Sequence, residues 1–141
     1  MPNEAAGAGW IYAADQYRVP FPPGTGQVNA VLSKPVGFRQ TLMGVRIIAA
    51  AVAAGGGASR TFNVRKGSAT GIVIATATVV LADLDALGEV KVIPVTGVGA
   101  DIEFLDGDTL SIEWATAGAV AFTAGEFIVE IATRKRVQQR N

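Results

Sequence analysis

The sequence predicts an all-β domain, either a β-sandwich or a closed barrel. From about residue 27 to residue 131, short runs rich in β-branched residues and alanine end at glycine, proline or acidic turns. These runs recur about every ten residues and leave room for hardly any helix, which is typical of sandwiches and barrels. A chain of 141 residues suits one domain whose core needs neither a disulfide nor a metal.

Residues 1–26 are predicted to form an extended N-terminal arm. Proline removes backbone donors and glycine raises the entropy cost of order, so the segment ending in residues 20–26 is expected to lie outside the ladder of strands. The arm also carries Trp10, Tyr12, Tyr17 and Phe21, and a purely solvated linker rarely needs such apolar groups. We therefore expect the arm to order against its own domain or a neighbour.

Residues 27–133 are predicted to form the β-sandwich domain. Residues 28–34 alternate in polarity and stop before Pro35, and residues 40–53 form the longest β-rich run, although its alanines at 49–54 leave a helix open. An acidic start and a glycine stop predict one helical turn at 83–88. Further strands are predicted at 60–66, 72–81, 90–95, 101–105, 109–115, 120–123 and 126–133.

The composition argues against most enzymes. The chain has no histidine and no cysteine, so it lacks a Ser-His-Asp relay, an imidazole base, the common zinc sites and a thiolate nucleophile. A binding or structural protein is expected, with no enzymatic activity and no cofactor.

The balance of charge and hydrophobicity limits the partners. Twelve basic and twelve acidic residues cancel, so no global field favours nucleic acid or an anionic membrane. The longest apolar stretch, residues 47–54, is far below the roughly 20 residues of a membrane span, and the N-terminus lacks the basic start of a secretory signal. Synthesis in the cytoplasm is expected. Half of the residues are hydrophobic and only 17% are charged, which favours apolar surface buried between subunits.

One acidic cluster raises the question of calcium. It consists of Asp101, Glu103, Asp106 and Asp108. Its spacing does not match the pattern of a calcium loop, whereas Asp-Gly-Asp between two strand-like runs has the chemistry of a tight hairpin turn. A turn is predicted, and no metal site.

Two other patterns suggest chemistry weakly. Glu113 with Glu126 or Glu130 would give a glycosidase its two carboxylates if they lay on neighbouring strands, but solvated strand faces explain these acids as well. The glycines at 55–57 lead into a strand rather than a helix, so a flexible loop between strands is favoured over a phosphate-binding loop.

Residues 134–141 are predicted to be a basic C-terminal tail. It contains Arg134, Lys135, Arg136 and Arg140 and no aromatic side chain, which argues against nucleic-acid binding. Two interpretations stay open: a tail that binds an acidic partner surface, or a solvated end that protects the last strand.

Three segments carry a family resemblance: residues 64–68 (VRKGS), 81–88 (LADLDALG), and 106–110 (DGDTL) leading towards 125–129 (GEFIV). Residues 37–132 thereby resemble the small jelly-roll decoration, or cement, proteins of tailed-bacteriophage capsids. The resemblance implies a jelly-roll antiparallel β-sandwich. It also implies a homotrimer seated on the outer surface of the virion, with the major capsid protein as its partner and without catalysis.

The expected function is therefore a capsid decoration protein that stabilises a phage head. The residues expected to bind the partner are Trp10, Tyr12, Tyr17, Phe21, Arg134, Lys135 and Arg136. The alternative is a phage tail or fibre module that binds carbohydrate or a host receptor, with Trp114 as a sugar platform. Trp114 lies inside a predicted strand, which favours a core or subunit contact instead.

Overall fold

The computed structural model describes residues 10–20, 28–33, 40–68, 70–105, 107–116 and 122–136, which form strands and two short 3-10 helices. The 3-10 helices span Leu81–Asp83 and Gly99–Ile102. The strands are β1 (Trp10–Pro20), β2 (Val28–Ser33), β3 (Gln40–Ala54), β4 (Ser59–Lys66), β5 (Val73–Val80), β6 (Val90–Ile93), β7 (Glu103–Phe104), β8 (Thr109–Thr116) and β9 (Ala124–Arg136).

The strands form two antiparallel sheets packed as a jelly-roll sandwich. One sheet has the order β1-β9-β3-β6, with the two-residue β7 also paired to β3, and the other has the order β2-β8-β4-β5. Strands of the first half of the chain pair with strands of the second half in reverse order: β1 with β9, β2 with β8, β3 with β6 and β4 with β5. The chain is thus one long antiparallel hairpin rolled up, which confirms the predicted fold.

Alternation along the strands places one apolar face of each sheet against the other. Phe62 on β4 and Trp114 on β8 are register partners, and their rings meet edge to face with centroids 4.6 Å apart. Phe127 on β9 approaches Trp114 at 5.3 Å and so joins the two sheets. These aromatic rings are fully buried and fill the centre of the sandwich.

The expectation that the arm lies outside the ladder of strands is wrong for residues 10–20. They form β1, which pairs with β9 in an unbroken register from Trp10↔Arg136 to Pro20↔Glu126. Proline is tolerated here because Pro20 ends an edge strand, where a missing N–H breaks no central ladder. β9 also extends to Arg136, so the first residues of the predicted tail are strand. The divisions at 26/27 and 133/134 stay predictions.

Several local predictions also need correction. The alanine run at 49–54 is strand and not helix, because β3 is paired with β9 along this stretch. The predicted turn at 83–88 is replaced by the 3-10 helix Leu81–Asp83, where the Asp83 carboxylate accepts the backbone N–H of Val80 at 2.9 Å. In the predicted strand at 101–105, residues 101 and 102 belong to the second 3-10 helix, and only Glu103–Phe104 are strand. In the predicted strand at 120–123, residues 122 and 123 are not strand, and 120 and 121 lie outside the described residues.

Candidate interaction surfaces

Pairing of β1 with β9 brings together residues from the two ends of the chain. Trp10 lies opposite Arg136, Ile11 opposite Lys135 and Tyr12 opposite Arg134. Two of the four predicted aromatic residues and all three predicted basic residues therefore meet at one end of the five-stranded sheet. Neighbouring strands lie about 4.8 Å apart, so the register positions of Trp10, Tyr12, Arg134 and Arg136 form one patch on one face of the sheet. Lys135 occupies a position on the other face, because successive residues of a strand alternate between faces.

The other predicted aromatic residues do not join this patch. Tyr17 lies opposite Val129, five residues further along β1 from Tyr12. Phe21 lies outside the described residues.

The outward face of the five-stranded sheet is apolar where β3, β6 and β9 meet. The exposed residues are Met43 (47% exposed), Val90 (47%) and Val92 (64%). Ile48 and Ile128 lie beside them and are half-buried. We call these five residues the outer apolar face.

A groove of about 390 Å³ runs along this face, and its lining includes Met43, Arg46, Val92, Pro94, Glu130 and Ala132. Arg46 donates a hydrogen bond from Nε to the Glu130 carboxylate on the neighbouring strand. The two charges compensate each other, so the groove presents apolar surface with a neutral ion pair at one wall.

The outward face of the four-stranded sheet is polar by contrast. Asn63 donates from Nδ2 to Glu113 Oε1 at 2.7 Å and accepts from Thr76 Oγ1 at 2.6 Å. Arg65 reaches the same Glu113 oxygen at 3.1 Å and the Gly71 carbonyl at 2.8 Å. This network joins β5, β4 and β8 through hydrogen bonds that satisfy buried polar atoms.

The carboxylates proposed as a glycosidase pair are not on neighbouring strands. Glu113 belongs to β8 in the four-stranded sheet, whereas Glu126 and Glu130 belong to β9 in the five-stranded sheet. Glu113 and Glu130 each have an arginine partner, Arg65 and Arg46. These acids therefore stabilise cross-strand contacts within their own sheets.

The acidic segment at 101–108 makes a turn, as predicted, but not a hairpin. Asp108 accepts the N–H of Leu105 on Oδ2 at 2.8 Å and donates its own N–H to the Leu105 carbonyl at 3.0 Å. Gly107 has φ +87°, which favours glycine. The turn links β7 to β8, which belong to different sheets, so the two strands do not pair. Asp106 lies outside the described residues.

The loop at 55–57 is a tight connection between β3 and β4. Ala58 donates its N–H to the Gly55 carbonyl at 2.9 Å, and Gly55 and Gly57 have φ of 119° and 75°. Glycine is required at both positions for this conformation. The predicted position of the loop between two strands is confirmed, since β4 and not a helix follows it. Its predicted flexibility stays a prediction.

No aromatic side chain that the structure describes is exposed. Phe62, Phe104, Trp114, Phe122 and Phe127 are each 0% exposed. The sugar platform proposed for Trp114 is wrong, and its interpretation as a core residue is confirmed.

Sequence reasoning missed the outer apolar face. The available signal was the loss of alternation in β3 after Arg46, where consecutive residues are all apolar. A strand apolar on both sides indicates burial on both faces, and the register of β6 adds Val90 and Val92 to the same surface.

Two viral structures are among the solved structures that are similar to this chain. A structure of the empty head of Turnip yellow mosaic virus matches with a TM-score of 0.35 and 12% identity, covering 100% of this chain and 86% of that chain. A structure of the Gx strain of infectious bursal disease virus matches with a TM-score of 0.36 and 12% identity, covering 92% of this chain and 38% of that chain. At TM-scores below 0.5, these similarities carry no argument about function.

No protein-family model matches the chain, and no curated protein matches it. Among the described residues, no helix is long and apolar enough to cross a membrane.

Proposed function

We propose that this protein is a structural component of a viral capsid, a decoration protein that binds the outer surface of a phage head as a homotrimer and stabilises the shell. The observation that carries the proposal is the combination of jelly-roll strand order with a filled interior. Double-sheet jelly rolls serve as viral capsid domains, lectins and cupins. The described residues fit the first of these uses best.

A small-molecule site needs a concave space lined by a few polar groups. Here the space between the sheets is occupied by Trp114 with Phe62 and Phe127 on either side of it, together with aliphatic side chains at most 4% exposed. A sugar-binding face needs an aromatic platform, and the aromatic residues whose side chains the structure describes, Phe62, Phe104, Trp114, Phe122 and Phe127, lie in the core instead. Close packing of these described side chains suits a shell protein.

The patch formed by Trp10, Tyr12, Arg134 and Arg136 is the proposed contact with the major capsid protein, and Lys135 is retained as a partner-binding residue beside it. Aromatic and arginine residues dominate the binding energy of many interfaces. A trimer would bind the shell through several linked contacts, and its overall affinity would exceed that of one contact because linking raises the effective concentration of the others. Tyr17 and Phe21 are retained in the proposal as partner-binding residues.

The test begins with virus particles from the culture that produces this protein. Particles purified on a density gradient are analysed by mass spectrometry and imaged by electron cryomicroscopy. We expect the chain at a fixed ratio to the major capsid protein, with three-fold density on the outside of the head. A chain that stays in the soluble fraction and is missing from purified heads would refute the proposal.

A second experiment tests the patch. Heads lacking the protein are incubated with wild type or with the double variant Trp10→Ala and Tyr12→Ala, which leaves charge unchanged. Truncating such an anchor often lowers the binding free energy by about 2 kcal/mol or more, so the variant is expected to occupy only part of the binding sites on the head. Equal occupancy of the variant and the wild type would place the contact elsewhere on the molecule.

A further inference from the structure

The ammonium group of Lys66 joins parts of the chain that are distant in sequence. Lys66 is the last residue of β4 in the four-stranded sheet, and its side chain reaches β7 of the five-stranded sheet. Its Nζ donates to the Ala100 carbonyl at 2.9 Å and to the Glu103 carbonyl at 2.6 Å. The same atom lies 5.5 Å from the centre of the Phe104 ring and 3.9 Å from Asp108 Oδ2. One cation therefore connects β4 to the segment that lies between β6 and β8.

Residues 97–105, which we call the strap, have few other attachments. The strap begins at Gly97, which donates its N–H to a carbonyl of β5 at 3.0 Å. It contains the 3-10 helix Gly99–Ile102, which has no buried residue, and the two-residue strand β7. Its apolar attachment consists of the fully buried Phe104 and the partly buried Ile102. Short elements with so little burial are the parts of a fold that open locally.

From these contacts we infer that Lys66, through the two backbone carbonyls, keeps the strap closed on the sandwich, and that the strap opens as a local unit when this ammonium group is removed. The inference does not depend on any binding partner. A charged donor makes stronger hydrogen bonds to carbonyls than a neutral donor does. The Lys66 side chain is only 28% exposed, so its hydrogen bonds lie where water competes less than it does at the open surface.

The two carbonyls contribute more to this attachment than Asp108 does. The Lys66–Asp108 pair spans 3.9 Å, and the Asp108 side chain is 35% exposed, a setting in which an ion pair contributes little. Asp108 also serves its own turn by accepting the N–H of Leu105. The cation that backbone oxygens bind beside the acidic segment at 101–108 is thus the chain's own Lys66.

The strap adjoins the proposed partner patch. Thr41 on β3 is the register partner of both Glu103 on β7 and Arg134 on β9. Opening of the strap would therefore remove the strand beside β3 at the end of the sheet that carries the patch.

Amide hydrogen exchange of the full chain tests the inference, with Lys66→Met as the variant. Methionine keeps an apolar stem and removes the charge and the donors. The reporter amides are those of Asp101, Glu103 and Leu105, each of which donates a hydrogen bond in the closed strap. We expect these amides to exchange about tenfold faster or more in Lys66→Met, the effect of losing hydrogen bonds from a charged donor. The amides of β8 and β9 are expected to keep wild-type rates, because the opening is local.

Two further variants serve as controls. Lys91→Met removes another partly exposed ammonium group, whose Nζ lies 3.4 Å from Asp83 Oδ1 and so outside the strap. Asp108→Asn removes the carboxylate charge and keeps an oxygen that accepts the Leu105 N–H. Both variants are expected to leave the exchange rates of the strap within about twofold of wild type.

Three results would overturn the inference. The first is wild-type exchange of the strap in Lys66→Met. The second is equally fast exchange throughout the sandwich of that variant, because the strap would then not be a local unit. The third is an effect of Asp108→Asn as large as that of Lys66→Met, which would assign the attachment to the ion pair.

If Lys66→Met does not fold, Lys66→Gln replaces it, with the same expected direction of change in the strap. Circular dichroism checks the folding of each variant. Failure of both variants to fold would also overturn the inference, since Lys66 would then hold the whole sandwich and not the strap alone.

Discussion

Replacing Trp114 with alanine tests the packing on which the proposed function depends. Trp114 is 0% exposed and contacts Phe62 on its own sheet and Phe127 on the opposite sheet, at centroid distances of 4.6 and 5.3 Å. The substitution removes the largest fully buried side chain of the described core and leaves a cavity between the sheets.

The expected loss follows from these contacts. Phe or Trp to Ala substitutions in cores lower the free energy of unfolding by about 3–5 kcal/mol. Each aromatic pair contributes about 0.5–1.5 kcal/mol of stability beyond that of its buried area. Domains are stable by only about 5–15 kcal/mol, so Trp114→Ala is expected to lose about 4 kcal/mol and to approach global unfolding. Trp114→Phe keeps one ring in the cluster and is expected to lose less than half of that.

Urea denaturation followed by circular dichroism measures the effect. With a slope of about 2–3 kcal/mol per molar urea for a domain of this size, the midpoint should fall by about 1–2 M. The control is Thr78→Ala at an exposed strand position, expected to change stability by no more than about 0.5 kcal/mol. A loss below about 1 kcal/mol for Trp114→Ala would show that the ring is not packed between the sheets, and the argument for a filled interior would fail.

Three further predictions concern the arm, a crowded glycine and metal ions. Deleting residues 1–20 removes β1 and leaves β9 as a sheet edge that is unpaired along eleven register positions. We expect the truncated protein to aggregate in light scattering and to lose cooperative unfolding in circular dichroism. A monodisperse protein that melts like the wild type would contradict this prediction. Gly97→Ala places a Cβ 2.8 Å from Ile102 Cγ2 and is expected to lower the free energy of unfolding, measured by urea denaturation, by about 1–3 kcal/mol. The control Gly56→Ala has no atom within 4 Å of the new Cβ and should leave stability nearly unchanged. Equal stabilities of the two variants would contradict the prediction. A chelator is expected to leave the melting temperature unchanged, because the carboxylate of Asp108 serves the turn, and a rise in melting temperature with calcium would overturn that assignment.

The fold class could be predicted from the sequence because its signals are local. Alternation and β-branched residues identified most of the strands, and β4, β5 and β8 agree with their predicted bounds to within a residue. Glycine positions marked the turns at 55–57 and 107 for the same reason, since φ is a property of single residues. The absence of histidine and cysteine limits the chemistry of any site, and composition alone reveals it.

Pairing between distant segments could not be predicted in this way. Residues 10–20 contain strand-forming aromatic and β-branched residues but run into the prolines and glycines of residues 20–26, which obscured the strand. Only β9, more than one hundred residues later, supplies the hydrogen bonds that hold them extended. Tertiary structure likewise placed Glu113 and Glu130 on different sheets and aligned Trp10 with Arg136.

The sequence by itself determined a β-rich chain with turns at defined glycines and few reactive groups, because these properties depend on residue type and short-range periodicity. The tertiary structure alone decided which face of each sheet meets water. Val92 and Thr78 both occupy outward strand positions, and local pattern does not reveal that the first joins an apolar surface while the second lies beside a polar network. That difference arises from strand order, which brings β6, β3 and β9 side by side and so assembles isolated apolar residues into one surface.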